Sequence, residues 1–172
     1  MKCSRFFSAL LTGTLLTAAM VPGKQDLYAQ KTESQNSFQV YKVYADAGYE
    51  LKYAKERALK AHKNIIIFVG GNWCVWCKRL DAFLNNDPQI TAALGEYEVM
   101  HINYSKENKN EKILAELNNP QQFGFPVIVL LDDKGNYMAT QNTGDLESGK
   151  SYSKEKVMDF LHKWSFKNIN NQ

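Results

Sequence analysis

Cys74 and Cys77, with two residues between them, are the side chains of this sequence best suited to covalent chemistry. They stand in Trp73-Cys74-Val75-Trp76-Cys77-Lys78, just after the apolar run Ile65-Ile66-Ile67-Phe68-Val69 and the break Gly70-Gly71-Asn72. At the start of a helix, that spacing lets the two sulfurs close a disulfide within the first turn. Unpaired backbone N–H groups and the positive end of the helix dipole favour negative charge there. The thiolate is the attacking species in disulfide exchange. Cys74, nearest the helix end, is expected to be the exposed nucleophile. Cys77, one turn further in on a stripe with Leu80 and Leu84, is expected to be buried and to resolve the mixed disulfide.

Other chemistries fit the pair less well. A zinc site needs two further ligands, and His62, His101 and His162 are scattered singly, so no metal is expected. Covalent haem attachment needs a histidine directly after the second cysteine, where Lys78 stands. A purely structural bridge would close too short a loop to stabilise the fold much. A thiol peroxidase would need a separate reactive thiol in an arginine-supported pocket, and none is visible.

The elements that must hold the pair can be read from periodicity. Leu51, Ala54, Ala58 and Ala61 recur at helical steps over residues 50–62. The β-branched run from Ile65 suits a strand covered on both faces. A helix over residues 74–84 follows, then Asp87-Pro88 as N-cap and first-turn proline of a short helix ending at Gly95. Residues 97–104 read as a strand and 109–117 as a helix. Val127 to Leu131 is a second apolar strand, and the turn Asp132-Asp133-Lys134-Gly135-Asn136 returns residues 137–141 antiparallel. Ser153 caps a last helix carrying Val157, Phe160, Leu161 and Trp164. This order implies an α/β domain with a central mixed β-sheet and helices on both faces.

The start of the chain reads differently. Lys2 and Arg5 precede a mostly apolar stretch that Pro22 and Gly23 break, with Ala29 as a small residue for cleavage. Residues 1–29 are therefore expected to be an export signal, with an uncleaved N-terminal anchor as the alternative; either places the domain outside the cytoplasm, as in a periplasm. Residues 30–40 are polar and aperiodic, a flexible lead, and residues 41–172 form one domain. Cys3 lies too early to be a lipid-modified cysteine. With the signal removed, Cys74 and Cys77 are the only thiols, so no disulfide framework staples the core. The formal net charge of +3 falls mostly in the first 29 residues, and nothing points to nucleic acid.

Trp73-Cys74-x-x-Cys77-Lys78 after an apolar strand, with Gly124-Phe125-Pro126 before a second one, resembles the thioredoxin superfamily over about residues 50–165. Gly71-Asn72-Trp73 and Asn86-Asp87-Pro88 look closest to exported thioredoxin-like domains, among them the reductase domain of the bacterial disulfide-interchange system. The resemblance implies a thioredoxin-like fold and a cis Pro126 facing the pair. It implies that Phe125 offers backbone groups to an extended substrate, with Trp73, Trp76 and Phe125 as an aromatic rim. For Trp76, simple helix packing is an equal alternative.

The sequence also departs from its relatives. Phe68 stands six residues before Cys74, where many thioredoxins carry a buried aspartate, and a phenyl ring there makes the surroundings of Cys77 less polar. His101 falls near the lysine that pairs with that aspartate and is a candidate proton carrier, its ordinary titration being near neutral. Val75-Trp76 adds no positive charge between the cysteines, so a reducing potential is expected. The reading is an exported thiol–disulfide oxidoreductase acting on protein disulfides in the reducing or isomerising direction. It needs no cofactor and is recharged by a partner redox protein, for which a membrane-bound one is a candidate. The alternative is a peptide-binding or chaperone-like module with a non-cycling disulfide.

Overall fold

The computed structural model describes residues 39–170. The export signal expected over residues 1–29, Cys3, and the lead as far as residue 38 lie outside the described residues. Six helices, α1 (Ala47–Ala61), α2 (Val75–Asn86), α3 (Pro88–Leu94), α4 (Glu111–Glu116), α5 (Lys154–Lys163) and α6 (Phe166–Asn170), are interspersed with strands among the described residues. The main sheet contains β1 (Ile65–Gly70), β2 (Glu98–Asn103), β3 (Val127–Leu131) and β4 (Tyr137–Asn142), in the order β2-β1-β3-β4. β1 runs parallel to β2 and antiparallel to β3, and β3 is antiparallel to β4.

The mixed sheet follows from its sequence. Every residue of β1 and β3 is buried, which is what an apolar run without alternation requires of a central strand. Side chains alternate across the sheet. Ile65, Ile67, Val69, Val127, Val129 and Leu131 face a layer with Leu51, Ala54 and Ala58 of α1 and Leu114 of α4. Ile66, Phe68, Ile128 and Leu130 face the other layer, with Leu80 and Leu84 of α2, Ile90 of α3 and Phe160 and Leu161 of α5. The helices cover both faces, as expected.

Local chemistry sets the ends. α1 begins at Ala47, three residues earlier than periodicity implies, because Asp46 accepts from the Tyr49 N–H at 3.0 Å. Asp87 caps α3 by accepting from the N–H groups of Gln89 and Ile90, with Pro88 at its first position. The β3–β4 turn is tied by Asp132, whose carboxylate accepts from the N–H groups of Lys134 and Asn136, and Gly135 supplies the positive φ of 83°. Asn110 at φ 52° delays α4 to Glu111, later than expected. The two-residue strands β5 (Glu147–Ser148) and β6 (Ser151–Tyr152), the 3₁₀ turns Pro120–Phe123 and Thr143–Leu146, and α6 were not anticipated. Among the described residues, no helix is long and apolar enough to cross a membrane.

Candidate active site

The buried strand β1 delivers the chain to the edge of the core, and Gly70 to Trp73 turn it into α2. Cys74 is the N-cap of α2, in extended conformation, and its Sγ accepts the Cys77 N–H at 3.1 Å. The two cysteines are joined as a disulfide with Cα atoms 5.2 Å apart. The helix-start geometry of the pair is therefore the one the spacing implies, with an unpaired N–H aimed at the first sulfur.

The expected exposure of Cys74 needs correction. In this disulfide form Cys74 is only 5 % exposed and Cys77 1 %. Two causes act together. The bond ties the first sulfur to one that belongs to the inward stripe of α2, and Tyr41, Val40, Trp76 and Phe125 pack around both. Val40, assigned by composition to a flexible lead, is half-buried in that cluster, and Tyr41 is 2 % exposed.

Asn72 explains why this segment sits there. Its side-chain oxygen accepts the Tyr41 N–H at 3.0 Å and its amide donates to the Tyr41 carbonyl at 2.7 Å, a backbone-like clamp across 31 residues. Gly70 makes room for the Tyr41 ring. A Cβ on Gly70 would lie 2.5 Å from Cys77 Sγ and 2.8 Å from the Tyr41 hydroxyl, so no side chain fits.

The four residues expected to form a substrate rim do not all meet. The Trp73 indole is 59 % exposed, donates to the Tyr104 carbonyl at 2.7 Å and meets the Phe125 ring edge-on at 5.7 Å. Tyr104 lies against Phe125 at 4.9 Å, and Trp73 and Tyr104 line a shallow cavity of about 560 Å³ with Lys106, Glu107 and Lys109. The Phe125–Pro126 bond is cis, as the resemblance implies, and the buried Thr143 hydroxyl donates to the Pro126 carbonyl at 2.6 Å. Trp76 departs from this wall. It packs edge-on against Tyr152 at 5.8 Å with the Arg79 guanidinium 4.7 Å over its ring, which is the helix-packing alternative.

Behind Cys77, Phe68 and His101 are register partners on β1 and β2 and stack at 5.3 Å. His101 also meets the Tyr41 ring edge-on at 5.5 Å. Burial holds the imidazole down at about 4, from an ordinary 6.5, so at neutral pH it is uncharged and does not titrate where a proton carrier would. Asp81, one turn beyond Cys77, is half-buried, and its carboxyl is raised by that burial. Burial first, then Asp81 and Tyr152, push the Tyr41 phenol above its ordinary range.

Sequence reasoning missed Tyr41, Asn72, Asp81, Tyr104, Thr143 and Tyr152. Asp81 had a local signal, four residues after Cys77 on the same helix, and Asn72 stood in the motif before Cys74 without its clamp on Tyr41 being foreseen. Among the described residues, no three His, Cys, Asp or Glu side chains group as metal ligands.

The Thioredoxin-like family model matches residues 47–133. The thiol:disulfide interchange protein DsbD of Photorhabdus laumondii is 27% identical over 75 residues, which are 44% of this chain and 13% of that protein. DsbD of Shigella boydii serotype 4 is 25% identical over 128 residues, 70% of this chain and 21% of that protein. The chain thus spans a fifth or less, roughly, of the length of these curated relatives. Among solved structures, the disulphide isomerase of Xylella fastidiosa Temecula1 superposes with a TM-score of 0.65 at 28% identity, covering 73% of this chain and 96% of that one. The family match runs from α1 through β3 and takes in the bonded cysteines on the way, and the chain belongs to the thioredoxin-like family.

Proposed function

We propose that this protein works outside the cytoplasm, exchanging disulfides with protein substrates through Cys74 and Cys77 in the reducing or isomerising direction. One observation carries the reading: the disulfide sits at a helix start where the first sulfur already accepts a backbone N–H. When the pair is reduced, that N–H and the helix dipole stabilise the Cys74 thiolate. The thiolate attacks one sulfur of a substrate disulfide, forming the Cys74–substrate bond and expelling the other substrate sulfur as a thiolate. Cys77 then loses its proton and attacks Cys74 Sγ. The Cys74–Cys77 bond forms, the bond to substrate breaks, and the second substrate sulfur leaves with the electron pair and takes up a proton. Two electrons have passed to the substrate, and a partner dithiol restores the pair. A membrane-bound redox protein is the candidate donor.

The export pattern of residues 1–29 supports the location, and the names of the DsbD relatives and the Xylella isomerase support the kind of exchange. The direction is supported by Val75 and Trp76, which place no cation between the cysteines, while Arg79 is engaged over Trp76. Trp73, Phe125 and Pro126 are the proposed substrate contacts, with Trp76 in a supporting place.

Cys74→Ser is expected to abolish insulin reduction, and Cys77→Ser to accumulate protein-linked mixed disulfides on Cys74. If Cys74→Ser reduces insulin at the rate of the parent, the exchange reading fails. The deep burial of Cys74 favours one rival, a peptide-binding module with a permanent disulfide. Labelling of free thiols before and after mild reductant separates the two, because a bond that resists reduction belongs to the rival.

A further inference from the structure

The exchange just proposed requires Cys77 to become a thiolate in the interior, and no carboxylate stands at Phe68 to assist. The phenyl ring is buried and His101, stacked on it, is uncharged. A different polar atom reaches the same place. The Tyr41 hydroxyl and Cys77 Sγ both lie within 2.8 Å of a single point, the position a Cβ on Gly70 would occupy. The hydroxyl is brought there by the Asn72 clamp on the Tyr41 backbone and by the T-shaped contact with His101.

On the basis of that exchange, we propose that the Tyr41 hydroxyl is a hydrogen-bond donor to the Cys77 sulfur whenever that sulfur carries negative charge. The role is distinct from proton transfer. The Cys77 proton goes to water or to the departing substrate thiolate, and Tyr41 keeps its own. A phenol suits this task because the groups around it all keep it protonated. Burial, the Asp81 carboxylate from α2 and Tyr152 from β6 each oppose its ionisation, and His101 from β2 adds no charge. Hydrogen bonds to a charged acceptor are the strong class, and they count for more where water is excluded. The same donor stabilises Cys77 as the group expelled when an incoming thiolate opens the disulfide at Cys74, so it speeds both half-reactions.

The test uses the full-length chain carrying Cys74→Ser, with and without Tyr41→Phe, labelled with ¹³C at the cysteine Cβ. The phenylalanine keeps the ring and its packing, and Asp81, Tyr152 and His101 are common to both proteins. The Cys77 Cβ resonance is expected to titrate about one pH unit or more higher in the phenylalanine variant, roughly tenfold less thiolate at neutral pH. With both cysteines present, Tyr41→Phe lengthens the life of the mixed disulfide about threefold, since the more basic Cys77 thiolate is a better nucleophile and offsets part of the lost population. Tyr41→Phe carrying the native pair melts normally when oxidised. Coincident Cys77 titrations in the two proteins overturn the proposal. A second readout needs no substitution at 41. In the reduced chain labelled at tyrosine Cζ, the Tyr41 resonance is expected to shift with the Cys77 midpoint, and a resonance that stays fixed through that midpoint also overturns it. Absence of insulin reduction by the parent protein would remove the exchange reading while leaving this titration result to stand.

Discussion

At the scale of single residues, His101 shows how burial changes a side chain's use. Its position beside the cysteines suggests a proton carrier, but the stack on Phe68 and the edge contact with Tyr41 leave the half-buried imidazole only partly in reach of water. A histidine held at about 4 in the folded state and near 6.5 when unfolded binds more protons unfolded between those values. Stability is therefore lost as pH falls from 6.5 toward 4, and this contribution does not change further below. His101→Leu removes that loss. Denaturant unfolding of the oxidised protein at pH 7 and pH 5 is expected to show the parent losing about 2 kcal/mol more than the variant. Equal losses would mean the imidazole charges freely in the fold. The identity of the cysteine pair was legible from spacing alone. The exposure of Cys74 was not, because it depends on Tyr41, Val40 and Phe125, which no local pattern connects to residue 74.

At the scale of elements, legibility followed the range of the interactions. β1, β3 and the β3–β4 turn were readable because an apolar run and an Asp–Gly turn are local signals. α3 was readable because Asp87 and Pro88 are its own cap and first turn. β5 and β6 escaped because two-residue strands carry no period. The segment around Tyr41 escaped because its order is imposed from outside, by Asn72, 31 residues away, at Tyr41 and by Asn108 at the Val43 and Ala45 carbonyls. Asn72→Ala deletes both bonds of that clamp and leaves a backbone donor and acceptor of Tyr41 without partners. A stability loss of about 1–3 kcal/mol is expected. The Tyr41 amide should also lose its hydrogen-exchange protection while β1 and β3 keep theirs. Protection at Tyr41 equal to that of the parent would show that packing alone holds the segment.

At the scale of the molecule, two apolar layers share one sheet, so β1 and β3 contribute to both. Leu130 is fully buried in the layer formed with α2, α3 and α5. Leu130→Ala is expected to cost about 2–5 kcal/mol in the oxidised protein. The loss should appear as one cooperative transition, since neither layer closes without the strands common to both. Two separated transitions in urea would show the layers to be independent. Gly70 lies at the junction of this architecture with the disulfide, where a sulfur and a hydroxyl leave no space for a side chain. A descendant of this chain that abandoned both Cys77 and Tyr41 would be free to carry alanine or serine at 70. One that kept either atom would not. Drift at this single position is thus tied to whether a lineage still uses the site, and a bulkier residue there marks a copy of the fold that has retired from its chemistry.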